Sequence, residues 1–118
     1  MVAANMVANM KLRARLKADA ASGAVTEVKL LISHVMETGR RKDDLNQLIP
    51  AHFIQLLTAT LNGKPVLEAQ WGTGVAKNPY LTFHVKGAKL GDIINVTWHD
   101  NLGQTESAEV AVVQELTP

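Results

Sequence analysis

The chain has 118 residues, of which 47% are hydrophobic and 19% charged, with a formal net charge of +1. These values are typical of one soluble globular domain, and the near-neutral charge gives no global attraction to nucleic acid or to an acidic membrane. The chain contains no cysteine, which excludes disulfides, thiol nucleophiles, thiolate zinc sites and thiolate-held iron–sulfur clusters. No apolar run reaches the roughly 18 residues that a membrane helix needs.

Residues 1–10 are predicted to form an N-terminal extension that precedes a single domain over residues 11–118. This extension is mildly apolar, but Asn5 and Asn9 interrupt it, no Lys or Arg precedes its apolar residues, and no cleavage site is evident. These features do not match a secretory signal peptide, so the chain is expected to be cytoplasmic or to travel with another protein. We expect the extension to be ragged and partly disordered.

From Lys11 onward, polar and apolar residues alternate in short segments, which is typical of half-buried β-strands. Seven strands are predicted, at residues 11–19, 26–34, 52–61, 66–71, 80–86, 93–100 and 106–116. For the first of these a helix is the alternative, because Leu12 and Leu16 also have helical spacing. Turns are predicted at residues 21–23, at Asn62-Gly63, whose type favours a hairpin, and at residues 101–103. Residues 35–50 lose the alternation and are predicted to form a long loop, a feature that often has a function.

The spacing of these strands predicts the fold class. Short strands with turn signals every 8–12 residues or so, and no convincing helix after residue 20, indicate an immunoglobulin-like antiparallel β-sandwich. The Cys–Trp–Cys pattern of antibody domains is absent, so the expected likeness is one of architecture only. Trp98 is expected in the core, whereas Trp71 fits a core or an exposed position equally well.

Four histidines raise the possibility of a metal site: His34, His52, His84 and His99. No two of them have the local spacing of a ligand pair on one strand or one helix. By alternation, His84 and His99 lie opposite the apolar face of their strands and are expected at the surface. A structural or surface role is therefore favoured and no metal ligand or cofactor is assigned; a histidine-dependent metal or redox domain is the alternative.

Other chemistry is weakly indicated. No Ser–His–Asp arrangement or nucleophile elbow can be identified, and Gly72-Thr73-Gly74 is a lone glycine pair without a following helix. A row of cations, Lys11, Arg13, Arg15 and Lys17, would suit an acidic partner, but such a row is more often a solvated sheet edge that discourages aggregation. The residues by themselves therefore predict a non-enzymatic binding protein.

Five stretches together resemble one family: ISHVMETGRRKD (32–43), LIPAHFIQ (48–55), NGKPVLEAQWG (62–72), KNPYLTFHVKG (77–87) and WHDNLGQT (98–105). The sequence is similar to the SoxZ family, the cysteine-free subunits of the SoxYZ carrier in the bacterial thiosulfate-oxidising Sox system. The likeness covers residues 11–112 and is specific, because the stretches occur in this order. Two departures lie in the long loop: Val35 stands where family members commonly have proline, and Leu45-Asn46-Gln47 replaces a usual glycine turn.

The resemblance implies an immunoglobulin-like sandwich that forms a heterodimer with SoxY, which carries the sulfur intermediate on a cysteine near its glycine-rich C-terminus. The other Sox enzymes would meet this complex transiently and process the bound sulfur, while the present subunit would be non-catalytic. The resemblance also implies a periplasmic location, reached by export together with SoxY. Nucleic acid and membrane are not expected partners.

We expect partner contacts in two loops. The candidate residues are Met36, Glu37, Thr38 and Gly39 in the first loop, and Asn78, Pro79 and Tyr80 in the second. A Tyr ring adds apolar area and a hydroxyl, which interfaces favour; the alternative is that Pro79 shapes its loop and Tyr80 packs on the end of the sandwich. Without its partner such a chain exposes an apolar patch and can form homo-oligomers.

Overall fold

A computed structural model describes the backbone of residues 4–7 and the whole of residues 9–17 and 25–115. The predicted turn at 21–23 lies outside the described residues. Within them the strands are β1 (Ala4–Val7), β2 (Met10–Lys17), β3 (Val25–Ile32), β4 (Ile54–Leu61), β5 (Lys64–Gln70), β6 (Tyr80–Lys86), β7 (Ile93–Asp100), β8 (Thr105–Ala111) and β9 (Val113–Gln114). Among these residues no helix is long and apolar enough to cross a membrane.

The strands form two sheets. The first has the order β1-β2-β3-β6, with β9 added alongside β2, and the second has the order β5-β4-β7-β8. Strands that are neighbours in these orders run antiparallel, while β9 runs parallel to β2. The predicted all-β, immunoglobulin-like antiparallel sandwich is confirmed, and β2 to β8 correspond to the seven predicted strands.

The core lies between the two sheets and is built by alternation. The largest fully buried apolar side chains are Leu12, Val28, Leu30, Ile32, Ile54, Leu57, Ile94, Val96 and Val112. Each contributes on the order of 1.5–3 kcal/mol through removal of apolar surface from water. Trp98 is buried in this core, as predicted, and Trp71 packs against it half-buried.

The sequence did not indicate β1 or β9. Ala4–Val7 pairs with the start of β2, within the segment assigned to the N-terminal extension. At the other terminus the chain changes sheets at Val112, which is fully buried and exchanges backbone hydrogen bonds with the turn at Gly91 and Asp92. A continuous alternation of polar and apolar residues cannot show such a change of sheet, since each of the two sheets buries an apolar face in the same core.

The predicted long loop is internally bonded. Its two ends are joined by a bridge between Glu37 and His52, and a second bridge joins Lys42 to Leu48. At its tip, Asn46 has a φ of +61°. Asn tolerates this left-handed conformation better than most residues, which explains how the turn forms without the usual glycine. We call residues 35–53 the tethered loop.

Candidate functional site

Asp100, at the end of β7, is buried and accepts hydrogen bonds from two histidines of the tethered-loop region. Its Oδ2 lies 3.1 Å from His34 Nε2 and 2.8 Å from His52 Nε2. Its Oδ1 accepts hydrogen bonds from the backbone N–H groups of Leu102, at 3.0 Å, and Gln104, at 2.8 Å. We call His34, His52 and Asp100 the histidine–aspartate cluster.

The hydrogen bonds define the protonation of this cluster. The backbone N–H of Met36 donates to His34 Nδ1 over 3.0 Å, so this nitrogen has no proton and the neutral ring carries its proton on Nε2. Nε2–H can then donate to Asp100, as can Nε2–H of His52. Burial alone would raise the pKa of Asp100, but the hydrogen bonds from His34, Gln104 and His52 outweigh it and hold the pKa below its ordinary value of 3.8.

Ring packing joins the cluster to the core. The His34 ring meets the His52 ring edge-on at a centroid distance of 4.6 Å, and meets the Trp98 ring edge-on at 5.2 Å. Trp98 belongs to the apolar core. The cluster therefore closes one end of the sandwich and fixes the orientation of His34 by packing as well as by hydrogen bonds.

The cluster also has the residue types of a metal site, since its three ligand atoms lie within 4.8 Å of one another. A histidine ligand needs a free lone pair on the coordinating nitrogen. On His34 that nitrogen carries the proton, because Nδ1 is already an acceptor for Met36 N–H. The arrangement thus fits a hydrogen-bond network better than a bound divalent cation.

The four histidines separate into two groups. His84 and His99 are exposed, as predicted, and His84 lies 3.6 Å from Glu27 on the outer face of the first sheet. The meeting of His34 and His52 was not predicted, because it depends on the long-range bridge between Glu37 and His52. The available signal was indirect: His34, His52 and Asp100 each fall within a stretch that carries the family resemblance.

Buried residues next to the cluster fix the conformation of the first predicted loop, at residues 36–39. Met36 is buried with a φ of +47°, and its Sδ lies 3.4 Å from the backbone nitrogen of Ile54. Gly39 has a φ of +85°, and a Cβ placed there would lie 3.1 Å from Ala51 Cβ. Both residues therefore fix the path of the backbone.

Glu37 and Thr38 are half-buried and bonded locally. Arg41 Nη2 donates to Glu37 Oε1 over 2.7 Å, and Arg40 N donates to Thr38 Oγ1 over 3.0 Å. The hydrogen bonds from Arg41 lower the pKa of Glu37. These side chains thus order the surface of the tethered loop near the cluster.

The second predicted loop lies directly beside the first. His34 and Asn78 are doubly bonded: His34 N donates to Asn78 Oδ1 over 3.1 Å, and Asn78 N donates to His34 O over 3.0 Å. Pro79 is buried, and its carbonyl accepts from Ile32 N at 3.0 Å. Tyr80 differs from its neighbours, because its side chain is 62% exposed.

Several apolar side chains that are near the cluster residues along the chain are exposed to solvent. Val35, Leu45 and Leu48 belong to the tethered loop and are 46%, 77% and 61% exposed, and Leu102, beside Asp100, is 58% exposed. Hydropathy could not distinguish these residues from core residues, because only the fold shows which leucines face water. They make the solvent-facing surface of the loops next to the cluster partly apolar.

Fold and site together define a class: a small immunoglobulin-like β-sandwich whose loops at one end are tied to a buried histidine–aspartate cluster. A family model described as "Sulphur oxidation protein SoxZ" matches residues 13–111. The chain therefore belongs to the SoxZ family and has a role in the Sox sulfur-oxidation system. No curated protein sequence matches it.

Proposed function

We propose that this chain is the non-catalytic subunit of a SoxYZ carrier. It binds SoxY and helps to present the cysteine-bound sulfur intermediate of SoxY to the other Sox proteins during thiosulfate oxidation. The observation that carries the proposal is the convergence of family stretches at one end of the sandwich. Residues from ISHVMETGRRKD, LIPAHFIQ, KNPYLTFHVKG and WHDNLGQT meet around His34 and Asp100.

The geometry of that end suits a lasting protein contact. Val35, Leu45 and Leu48 of the tethered loop and Leu102 beside Asp100 are exposed, and permanent interfaces are more apolar than transient ones. The bridges at Glu37 and Lys42 hold the loop in one conformation before any partner arrives. A loop that is already ordered loses little conformational entropy on binding, which favours affinity.

The absence of cysteine supports the same role. A thiol beside a carried sulfur could attack it and exchange with it, and this chain has none. We propose a periplasmic location reached by export together with SoxY. We further propose that the isolated chain can form homo-oligomers through the exposed leucines.

Co-expression with the cognate SoxY, followed by size exclusion, tests the proposal. We expect one peak that contains both chains. The variant Leu45→Asp/Leu48→Asp should weaken the complex, whereas Leu90→Asp should not, because Leu90 is similarly exposed but lies in a turn outside the tethered loop. Separate elution of the unaltered chains at micromolar concentration would overturn the proposal.

A further inference from the structure

The row of cations on β2 does not lie on a sheet edge. β3 pairs with the whole of β2 on one side, and on the other side β1 pairs with residues 10–13 and β9 with Arg15 and Leu16. The interpretation of this row as an aggregation-blocking edge is therefore wrong. The cations project from the middle of the outer face of the first sheet and need another explanation.

The register arranges this outer face in rows across β2, β3 and β6. The rows are Lys11–Leu31–Tyr80, Arg13–Lys29–Thr82, Arg15–Glu27–His84 and Lys17–Val25–Lys86. Lys and Arg supply half of these positions and a carboxylate supplies one. Since the net charge of the chain is only +1, the positive charge is concentrated on this face.

The single carboxylate of these rows is already engaged. Oε2 of Glu27 lies 3.2 Å from Lys17 Nζ and 3.6 Å from His84 Nε2, and its Oε1 lies 3.6 Å from Lys29 Nζ. A second carboxylate beside these rows, Glu115, is also engaged, because its Oε1 lies 3.3 Å from Lys17 Nζ. For Lys11, Arg13 and Arg15, by contrast, no ion pair with another described side chain exists. Neighbouring like charges on one face of a sheet are destabilising, so the free chain bears a repulsion that an acidic partner would relieve.

A partly apolar hollow lies at one end of the same face. Leu31 and Tyr80 are cross-strand neighbours and are 42% and 62% exposed. Together with Lys11, Arg13 and Lys29 they line a hollow of about 200 Å³. Tyr and Arg are among the residue types that most often dominate binding energy at protein interfaces, and here Tyr80 and Arg13 line the same hollow.

We propose that this face, which we call the basic face, binds an acidic polypeptide segment of a transient partner. One apolar side chain of that segment enters the Leu31–Tyr80 hollow, and flanking carboxylates lie against Lys11, Arg13 and Arg15. The exposed apolar surface of Leu31 and Tyr80 favours a polypeptide over the phosphates of a nucleic acid. The density of charge favours a fast, salt-sensitive encounter over a permanent subunit contact.

The basic face lies outside the tethered loop but shares Tyr80 with the second candidate loop. Variants of Lys11 and Arg13 therefore test this proposal, and variants of Leu45 and Leu48 test the SoxY contact. The proposal for the basic face is tested by titrating the full chain, labelled with ¹⁵N, with a short peptide that has one central leucine between runs of alternating Asp and Glu. We expect amide shifts at Lys11, Arg13, Leu31 and Tyr80, and weaker binding as the salt concentration rises to about 0.15 M.

Matched variants and probes complete the experiment. Lys11→Glu/Arg13→Glu should weaken peptide binding about tenfold, whereas Arg40→Glu/Lys42→Glu, with the same change of charge on the tethered loop, should leave it nearly unchanged. Three results would overturn the proposal: shifts at the tethered loop instead of the basic face, equal binding of a peptide with Asn and Gln in place of Asp and Glu, or tighter binding of duplex DNA or phosphatidylserine vesicles at the same residues.

Discussion

His34 donates its Nε2–H to Oδ2 of Asp100 over 3.1 Å, and this hydrogen bond joins the loop after β3 to the end of β7. Asp100 belongs to the second sheet, and His34 follows the end of β3 in the first sheet. The bond therefore ties the sandwich together at the end where the tethered loop begins. Its acceptor is buried and ionised, so the contact is a charge-assisted one, which is stronger than a neutral hydrogen bond.

Asp100→Asn should destabilise the fold by about 2–4 kcal/mol. In this variant an NH₂ group would replace Oδ2 and would face the Nε2–H donors of His34 and His52, so that donor meets donor. His34 could avoid this by a change of tautomer, but the change would break its hydrogen bond with Met36 N–H. Urea unfolding followed by Trp fluorescence measures the loss. An effect below about 0.5 kcal/mol would show that the cluster does not stabilise this end.

Lowering the pH should remove the stabilisation that Asp100 contributes to the fold. The pKa of Asp100 is lowered in the folded state, so its stabilisation is complete above the unfolded value of 3.8 and is lost as the pH falls through the folded value. Glu27, Glu37 and Asp92 also have lowered pKa values, but they are present in Asp100→Asn as well. The difference in unfolding free energy between the two proteins should therefore shrink below about pH 4. A constant difference down to that pH and below would contradict this assignment.

Val35→Pro should stabilise the chain by about 0.4–1 kcal/mol. Val35 is exposed and has a negative φ, and no described residue accepts a hydrogen bond from its N–H. Proline at this position would mainly restrict the unfolded chain. Thermal unfolding measures the change, and a lower midpoint would show that the backbone at Val35 does not accept the ring.

Gly39→Ala should destabilise the chain by about 1–3 kcal/mol. The positive φ is strained for alanine, and its Cβ would press on Ala51 at 3.1 Å. Gly72→Ala is the matched control, because no atom lies within 4 Å of a Cβ there and its φ is not in the left-handed region. Equal effects of the two substitutions, measured by urea unfolding, would rule out a special role for Gly39.

Metal chelation should leave the fold unchanged. Since His34 Nε2 carries a proton, we expect purification without chelator to give far less than one metal ion per chain, and EDTA to leave the thermal midpoint where it was. Elemental analysis and thermal unfolding check these outcomes. A stoichiometric metal that is lost in His34→Ala would restore the metal-domain alternative.

The strands were predictable because alternation is a local signal. Leu12, Leu30 and Val96 each follow it, and each is buried as the pattern requires. The position of β2 was not predictable, because pairing on both of its sides depends on β1 and β9, which carry little alternation of their own. This missing information led to the interpretation of Lys11 and Arg13 as edge residues.

The candidate site was predictable only in part. The motifs placed Met36 and Asn78 in two loops of interest, and the structure brings those loops together through His34. The role of His34 itself could not be inferred from spacing, since its partners His52 and Asp100 are distant in sequence. Side-chain exposure could not be inferred from the sequence either, since Met36 is buried whereas Leu45 is exposed.

The proposed carrier role depends most on the identity of the protein that accompanies this chain. The most direct measurement is capture of the tagged chain from its source cells, followed by thiol labelling and mass spectrometry of what co-purifies. We predict one partner, in equal amount, with a single reactive cysteine near a glycine-rich C-terminus. Recovery of the chain alone, or with a partner that has no reactive cysteine, would contradict the proposed carrier role.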